Sequence, residues 1–212
     1  MPTRPDPVET KKYKLVPEGT HVARCYGFLH IGHVPNTYPG AENPTINKIR
    51  LTWELPEEKV SFAEGEEPKP YSISAEYTLS MHEKSNLRKI VQSWLGKQFT
   101  EAEAVNFDAE SLVGQACFIT VAHMTKEDKT FAYVENVTRL PARMEAPDAI
   151  NAPKITNWET LTKEQFDSFP EFIQEKLKSA LEYQRWNLQK KSALDAVDYP
   201  EEKINAEDIP FS

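Results

Sequence analysis

The sequence is short of several things, and each shortage removes a class of answer. Only two cysteines, Cys25 and Cys117, stand among its 212 residues. So few cannot supply a disulfide framework or the paired ligands of a structural zinc site. Both fall in predicted strands, where a thiol behaves as a small buried apolar group, and a reducing cytoplasm is the simpler setting. No apolar run approaches the length of a membrane span, and the start MPTRPDPVETKK has no apolar core of a signal peptide. A soluble, cytoplasmic protein with no membrane partner is expected.

Catalytic signatures are missing too. The chain has no glycine-rich phosphate loop, no glycine-flanked nucleophilic serine and no paired-ligand metalloprotease motif. Cys25, His30 and His33 are near one another in sequence, with His82 and His123 elsewhere, which makes one loose pair rather than a metal-ligand set. No catalytic residue, metal ligand or cofactor is assigned, and the chain reads as a non-enzyme.

Positive charge is also scarce. Against 25 Lys and Arg stand 33 Asp and Glu, a net charge of −8 that would disfavour a nucleic-acid partner if it were evenly spread. It is not evenly spread. Residues 1–141 carry 16 Lys/Arg and 19 Asp/Glu, whereas residues 195–212 alone carry six acids and one lysine. The body is close to neutral and the tail is acidic.

What is present is strand pattern. Residues 114–140, GQACFITVAHMTKEDKTFAYVENVTRL, predict two strands around the polar loop TKEDK. A lone hairpin is marginal in water, so the rest of the chain must supply more sheet. Residues 20–34, THVARCYGFLHIGHV, predict a long first strand, with Gly27 and Gly32 marking bulges or bends. Residues 35–44 read as a loop. Residues 46–55, INKIRLTWEL, predict a second strand with Ile49, Leu51, Trp53 and Leu55 on one face and Lys48 and Arg50 on the other. Residues 56–70 read as an acidic, proline-bearing loop and residues 71–79 as a third strand.

The period then changes. In residues 83–95, Leu87, Ile90, Val91, Trp94 and Leu95 recur at helical spacing before Gly96, with Arg88, Lys89 and Lys97 on or near the exposed face. Residues 97–112 read as a polar link to the hairpin. Three strands, a helix and two strands make the layout of an OB-fold, a five-stranded, partly open barrel. The expected class is mainly β, with a C-terminal helix and a flexible acidic tail added. The expected divisions are a disordered 1–12, a barrel at 13–141, a proline- and alanine-rich linker at 142–168, a helix at 169–191 and a tail at 192–212. The helix could pack back on the barrel, pair subunits into a homo-oligomer, or dock a partner.

The tail ends in Glu207-Asp208-Ile209-Pro210-Phe211, which resembles the acidic tip of bacterial single-stranded DNA-binding proteins. In that family the tip docks replication and repair proteins, and phenylalanine is the last residue; here Ser212 follows it. The body resembles bacteriophage single-stranded DNA-binding proteins with OB-folds. That likeness lies in residues 15–28 (LVPEGTHVARCYGF), 80–100 (SMHEKSNLRKIVQSWLGKQFT), the hairpin at 114–140, and 169–184 (FPEFIQEKLKSALEYQ), most of residues 13–184. It implies a protein of the bacterial host cytoplasm that coats and protects single-stranded DNA in replication, recombination and repair. Its tail, through Asp208, Ile209, Pro210 and Phe211, would recruit partner proteins.

Binding of single strands without sequence preference needs cations for phosphates and aromatic faces for bases. The candidates are Lys48, Arg50 and Trp53 on the second strand, Tyr71 and Tyr77 on the third, Tyr38 in the first loop, and Lys126 and Lys129 in the last. Trp53 shares its face with Ile49 and Leu51, so core packing competes with stacking there. The other function class is an OB-fold interaction module that binds replication machinery and touches DNA little, which a body with no excess of positive charge favours.

Overall fold

A computed structural model describes residues 14–61 and 65–195. Its centre is a long, bent strand, β1 (Gly19–Pro35), which serves two neighbours. The first half of β1 pairs with β4 (Ala116–Lys126), and the second half pairs with β2 (Thr45–Val60), both antiparallel. The ladder to β2 shifts register between Cys25 and Gly27 and again between His30 and Gly32, so the predicted bends fall at the two glycines. Gly32 has φ +94°, and a side chain there would run into Glu182 and Trp158. At Gly27 an added Cβ would lie 3.0 Å from the Cβ of Thr52.

β3 (Lys69–Thr78) pairs with β2, and β5 (Lys129–Thr138) with β4, so the order across the sheet is β3-β2-β1-β4-β5. β3 and β5 come together without sharing a ladder, and the sheet is not closed. A sixth strand, β6 (Lys154–Thr156), pairs in parallel with β1. The chain is mainly β, with six strands where five were expected. β2 runs past Leu55 to Val60, because a register shift between Leu55 and Lys59 takes Pro56 out of the regular ladder. The loop expected at 56–70 is correspondingly shorter. The hairpin loop is shorter too. Glu127 and Asp128 both have positive φ, 49° and 63°, the two-residue geometry that matches strand twist.

Inside the sheet lies one core. Ile49, Leu51, Trp53 and Leu55 of β2 meet Cys25, Phe28, Ile119, Val121 and Val137, and all are buried. Each large apolar side chain removed from water contributes about 1.5–3 kcal/mol. Helix α1 (Asn86–Leu95) covers this core with Leu87, Val91 and Trp94; the Trp94 ring centroid is 5.8 Å from that of Trp53. Ser85 caps α1 by accepting from the Arg88 amide, and Gly96 ends it in the left-handed conformation.

The stretch expected as a polar link, 97–112, carries helix α2 (Glu101–Val105) with a complete capping box, and a 3-10 turn (Ala109–Leu112). It also takes in Arg88. That side chain, expected at the surface, is buried and donates to the carbonyls of Met81 and Phe99 and to Glu101, at 3.0, 2.7 and 2.8 Å.

A second core lies on the outer face of β1. The stretch expected as a linker, 142–168, contains β6 and helix α3 (Lys163–Ser168). The helix expected at 169–191 is two helices, α4 (Glu171–Lys178) and α5 (Leu181–Asp195). Leu161, Phe166, Ile173, Leu177 and Trp186 from this segment bury against Leu29, Ile31 and Val34. The helix breaks at residues 179–180, and Trp186 turns inward while Leu181 and Leu188 stay exposed. The segment packs back on the sheet, which was one of its three expected roles. Residues 1–12, and the tail residues Asp208, Ile209, Pro210 and Phe211, lie outside the described residues. Among the described residues no helix is long and apolar enough to cross a membrane.

Candidate nucleic-acid interface

Strand alternation sorts the candidate residues into two sets. Across β2 and β3, Ile49 faces Tyr77, Trp53 faces Ile73 and Leu55 faces Tyr71, and all six point to the inner core. Trp53 is 0% exposed and offers no face to a base, so its role is packing, not stacking. Tyr71 and Tyr77 lie half-buried against the same core. Burial, with smaller contributions from Cys117 and Cys25, pushes the Tyr77 phenol well above its ordinary pKa, which keeps it neutral. Each of these tyrosines also lines a hollow, Tyr77 with Lys48 and Tyr71 with Lys14, Lys69 and Asn151.

The opposite face of β2 carries Lys48, Arg50, Thr52 and Glu54, paired across to Thr78, Glu76, Ser74 and Ser72 of β3. The end at Glu54 is closed. Its fully buried carboxylate accepts from the Ile150 amide at 2.9 Å and from the Asn151 amide and side chain at 2.7 and 2.6 Å. A buried carboxylate needs such donors, and these hold residues 142–153 on the sheet with help from Arg24, which donates to the Pro147 carbonyl at 2.7 Å.

Towards the other end the face is open in two hollows. The larger, about 550 Å³, lies between β2–β3 and the start of α1 and is lined by Lys48, Lys84, His82, Thr78 and Glu76 among others. The smaller, about 310 Å³, lies between β1–β2, β6 and α4 and includes Tyr26, Arg50, Thr52, Lys154 and Phe172. Among the described residues, Glu76 is the one carboxylate lining either hollow. Lys176 of α4 satisfies it with contacts of 2.6 and 2.8 Å to its two oxygens, whereas Arg50 reaches it at 3.2 Å. The Arg50 guanidinium also sits 5.6 Å from the centroid of the Phe172 ring. Lys48 and Lys84 thus line the larger hollow, Arg50 and Lys154 the smaller, and Arg50 and Lys176 share Glu76.

The remaining candidates stand on projecting turns. Tyr38, in the β1–β2 loop, is 80% exposed. Lys126 and Lys129 face each other at the tip of the β4–β5 hairpin, both exposed, beside Glu127 and Asp128. Below them on the same hairpin face are Met124 paired with Phe131, and Tyr133 paired with Ala122. All three larger side chains are exposed. These three were not among the sequence candidates, although the alternation Lys129, Phe131, Tyr133 could have flagged them. Tyr26, Lys84, Lys154, Lys176 and Phe172 were missed as well; three of these belong to the segment read as linker and helix.

The thiols and histidines are otherwise engaged. Burial pushes the Cys25 thiol up to about 12 and Cys117 further still, so both stay protonated. His30 bonds Asn47 at 2.8 Å and His33 bonds Glu182 at 2.6 Å. Among the described residues, no group of three His, Cys, Asp or Glu is placed to hold a metal. The chain matches no protein-family model and no curated protein sequence.

Proposed function

We propose that the protein binds single-stranded DNA, coating it without strong sequence preference as a phage-type OB-fold protein does, and that its acidic tail recruits replication and recombination proteins. The observation that carries this reading is the concentration of Lys48, Arg50, Lys84, Lys154 and Lys176 around the outer face of β2, beside Tyr26 and Phe172, in a chain of net charge −8. A polyanion meets the local field of such a face, not the net charge. The sheet order, with the edge strands β3 and β5 approaching each other and a helix between β3 and β4 in the chain, supports the OB reading. The hairpin lysines and its exposed aromatics add a second cation–aromatic surface suited to a single strand.

Fluorescence anisotropy of labelled oligo-dT and of matched duplex, over a salt series, tests the proposal. Oligo-dT should bind in preference to duplex and weaken steadily with salt. Lys48→Glu with Arg50→Glu should cost roughly tenfold or more and flatten the salt slope, each lost phosphate contact removing about 0.7 from it. Absence of oligo-dT binding at low salt would sink the reading. The interaction-module alternative is favoured by the covering of Arg50 and Glu54 by C-terminal residues; there, the same charge reversal would leave partner binding unchanged.

A further inference from the structure

Phe172 is placed against the usual economy of a small α-helix. α4 anchors itself through Ile173 and Leu177, both buried, yet Phe172 keeps 55% of its surface exposed. It contributes little to the core. Instead it lines the hollow of about 310 Å³ that it shares with Tyr26, Arg50, Thr52 and Lys154. That volume is at the lower end of small-ligand sites, roughly 300–1,000 Å³. The ring stands over the Arg50 guanidinium at 5.6 Å, and the Tyr26 hydroxyl is fixed by donating to Ser72 at 3.2 Å.

The charges of this hollow are of one sign. Among the described residues, Arg50 and Lys154 line it and no acid does. The nearby carboxylate, Glu76, is already held by two short contacts from Lys176, which frees most of Arg50's donors for another anion. An aromatic face, a second aromatic wall and two cations, one of them sharing its carboxylate with Lys176, match one nucleotide of a single strand, with the base on the ring and phosphates on the cations. An acidic peptide would use the cations but leave the exposed ring without purpose.

We propose that this hollow is a nucleotide subsite of the single-stranded DNA path, in which Phe172 stacks a base while Arg50 and Lys154 hold the flanking phosphates. The C-terminal helical unit then forms one wall of the DNA groove and is not solely a docking or dimerisation element. This inference rests on the single-stranded DNA reading.

The test compares oligo-dT with an oligonucleotide of equal length made of abasic sites, using the full chain. Phe172→Ala and the bulk-preserving Phe172→Leu should each weaken oligo-dT binding by about 5- to 100-fold, the range expected for loss of one stacked base, and leave abasic binding within about twofold. Phe172→Trp should restore oligo-dT affinity and add DNA-dependent quenching of its own fluorescence. Equal losses on both probes, or no loss on oligo-dT with Phe172→Leu, would overturn the stacking role while leaving the function intact. A wild-type protein that binds neither probe would overturn the function and this subsite together.

Discussion

The two faces of β2 are equally regular in sequence and finished in different ways. Its inward residues Ile49, Leu51, Trp53 and Leu55 are all 0% exposed and are closed over by the rest of the sheet and by α1. Its outward residues are met by chain far away in sequence: Glu54 by Asn151, 97 positions on, and Glu76 opposite Arg50 by Lys176, 100 positions on. Apolar packing tolerates many partners of suitable size, so an inner face can be completed by whatever stripe has the right period. Polar burial is less forgiving. A carboxylate in the interior needs donors at particular points, and those donors are backbone amides and long side chains that no local pattern reveals.

Three predictions bear on that contrast. The largest effect is expected on the inner face. Trp53→Ala should destabilise the fold by about 3–5 kcal/mol in chemical denaturation, since it empties a fully buried site against Trp94. Unchanged stability with lost DNA binding would instead make the inner face the binding face and reverse the comparison. Next comes the closed end of the outer face. Glu54→Ala strips the acceptor from three donors and should cost about 2–3 kcal/mol, while speeding limited proteolysis within residues 142–153. If that segment stayed as protected as in the wild type, the carboxylate would not be what holds it down.

The smallest effect concerns the joint between β1 and α5. Burial opposes ionisation of Glu182, but hydrogen bonds from the His33 ring and amide outweigh it and hold the carboxyl below its usual range. A carboxylate lowered in this way contributes stability above its unfolded pKa of about 4.3, and the contribution is lost as pH falls through the lower folded value. Thermal melts should show Glu182→Gln losing part of the wild-type advantage at neutral pH, with the two curves converging below about pH 4. Parallel curves down to pH 3 would mean that the pair contributes nothing to holding α5.

The same contrast explains what was legible beforehand. The five long strands, α1 with its serine and glycine caps, and the inward stripe of β2 follow from periods of 2 and 3.6 and from local cap chemistry. Lys48 and Arg50 were assigned to the outward face by the same alternation. The aromatics fared differently. Trp53 alternates with the core, and Tyr71 and Tyr77 share its face because register alone decides the side on which a strand residue falls. The half-buried ring of Tyr26 and the exposed ring of Phe172 look no different in sequence from core ones.

Residues 142–168 show the limit most clearly. Proline and alanine there suggest a tether, because composition records the lack of a local stripe and not the presence of distant donors. Local periodicity was enough to specify the five long strands, the first helix and the side of β2 that faces the core. The break between α4 and α5, the second core, the capping of Glu54 and the pairing of Lys176 with Glu76 arise only when distant segments meet. Such contacts depend on register and distance across the fold, which no short window of sequence contains.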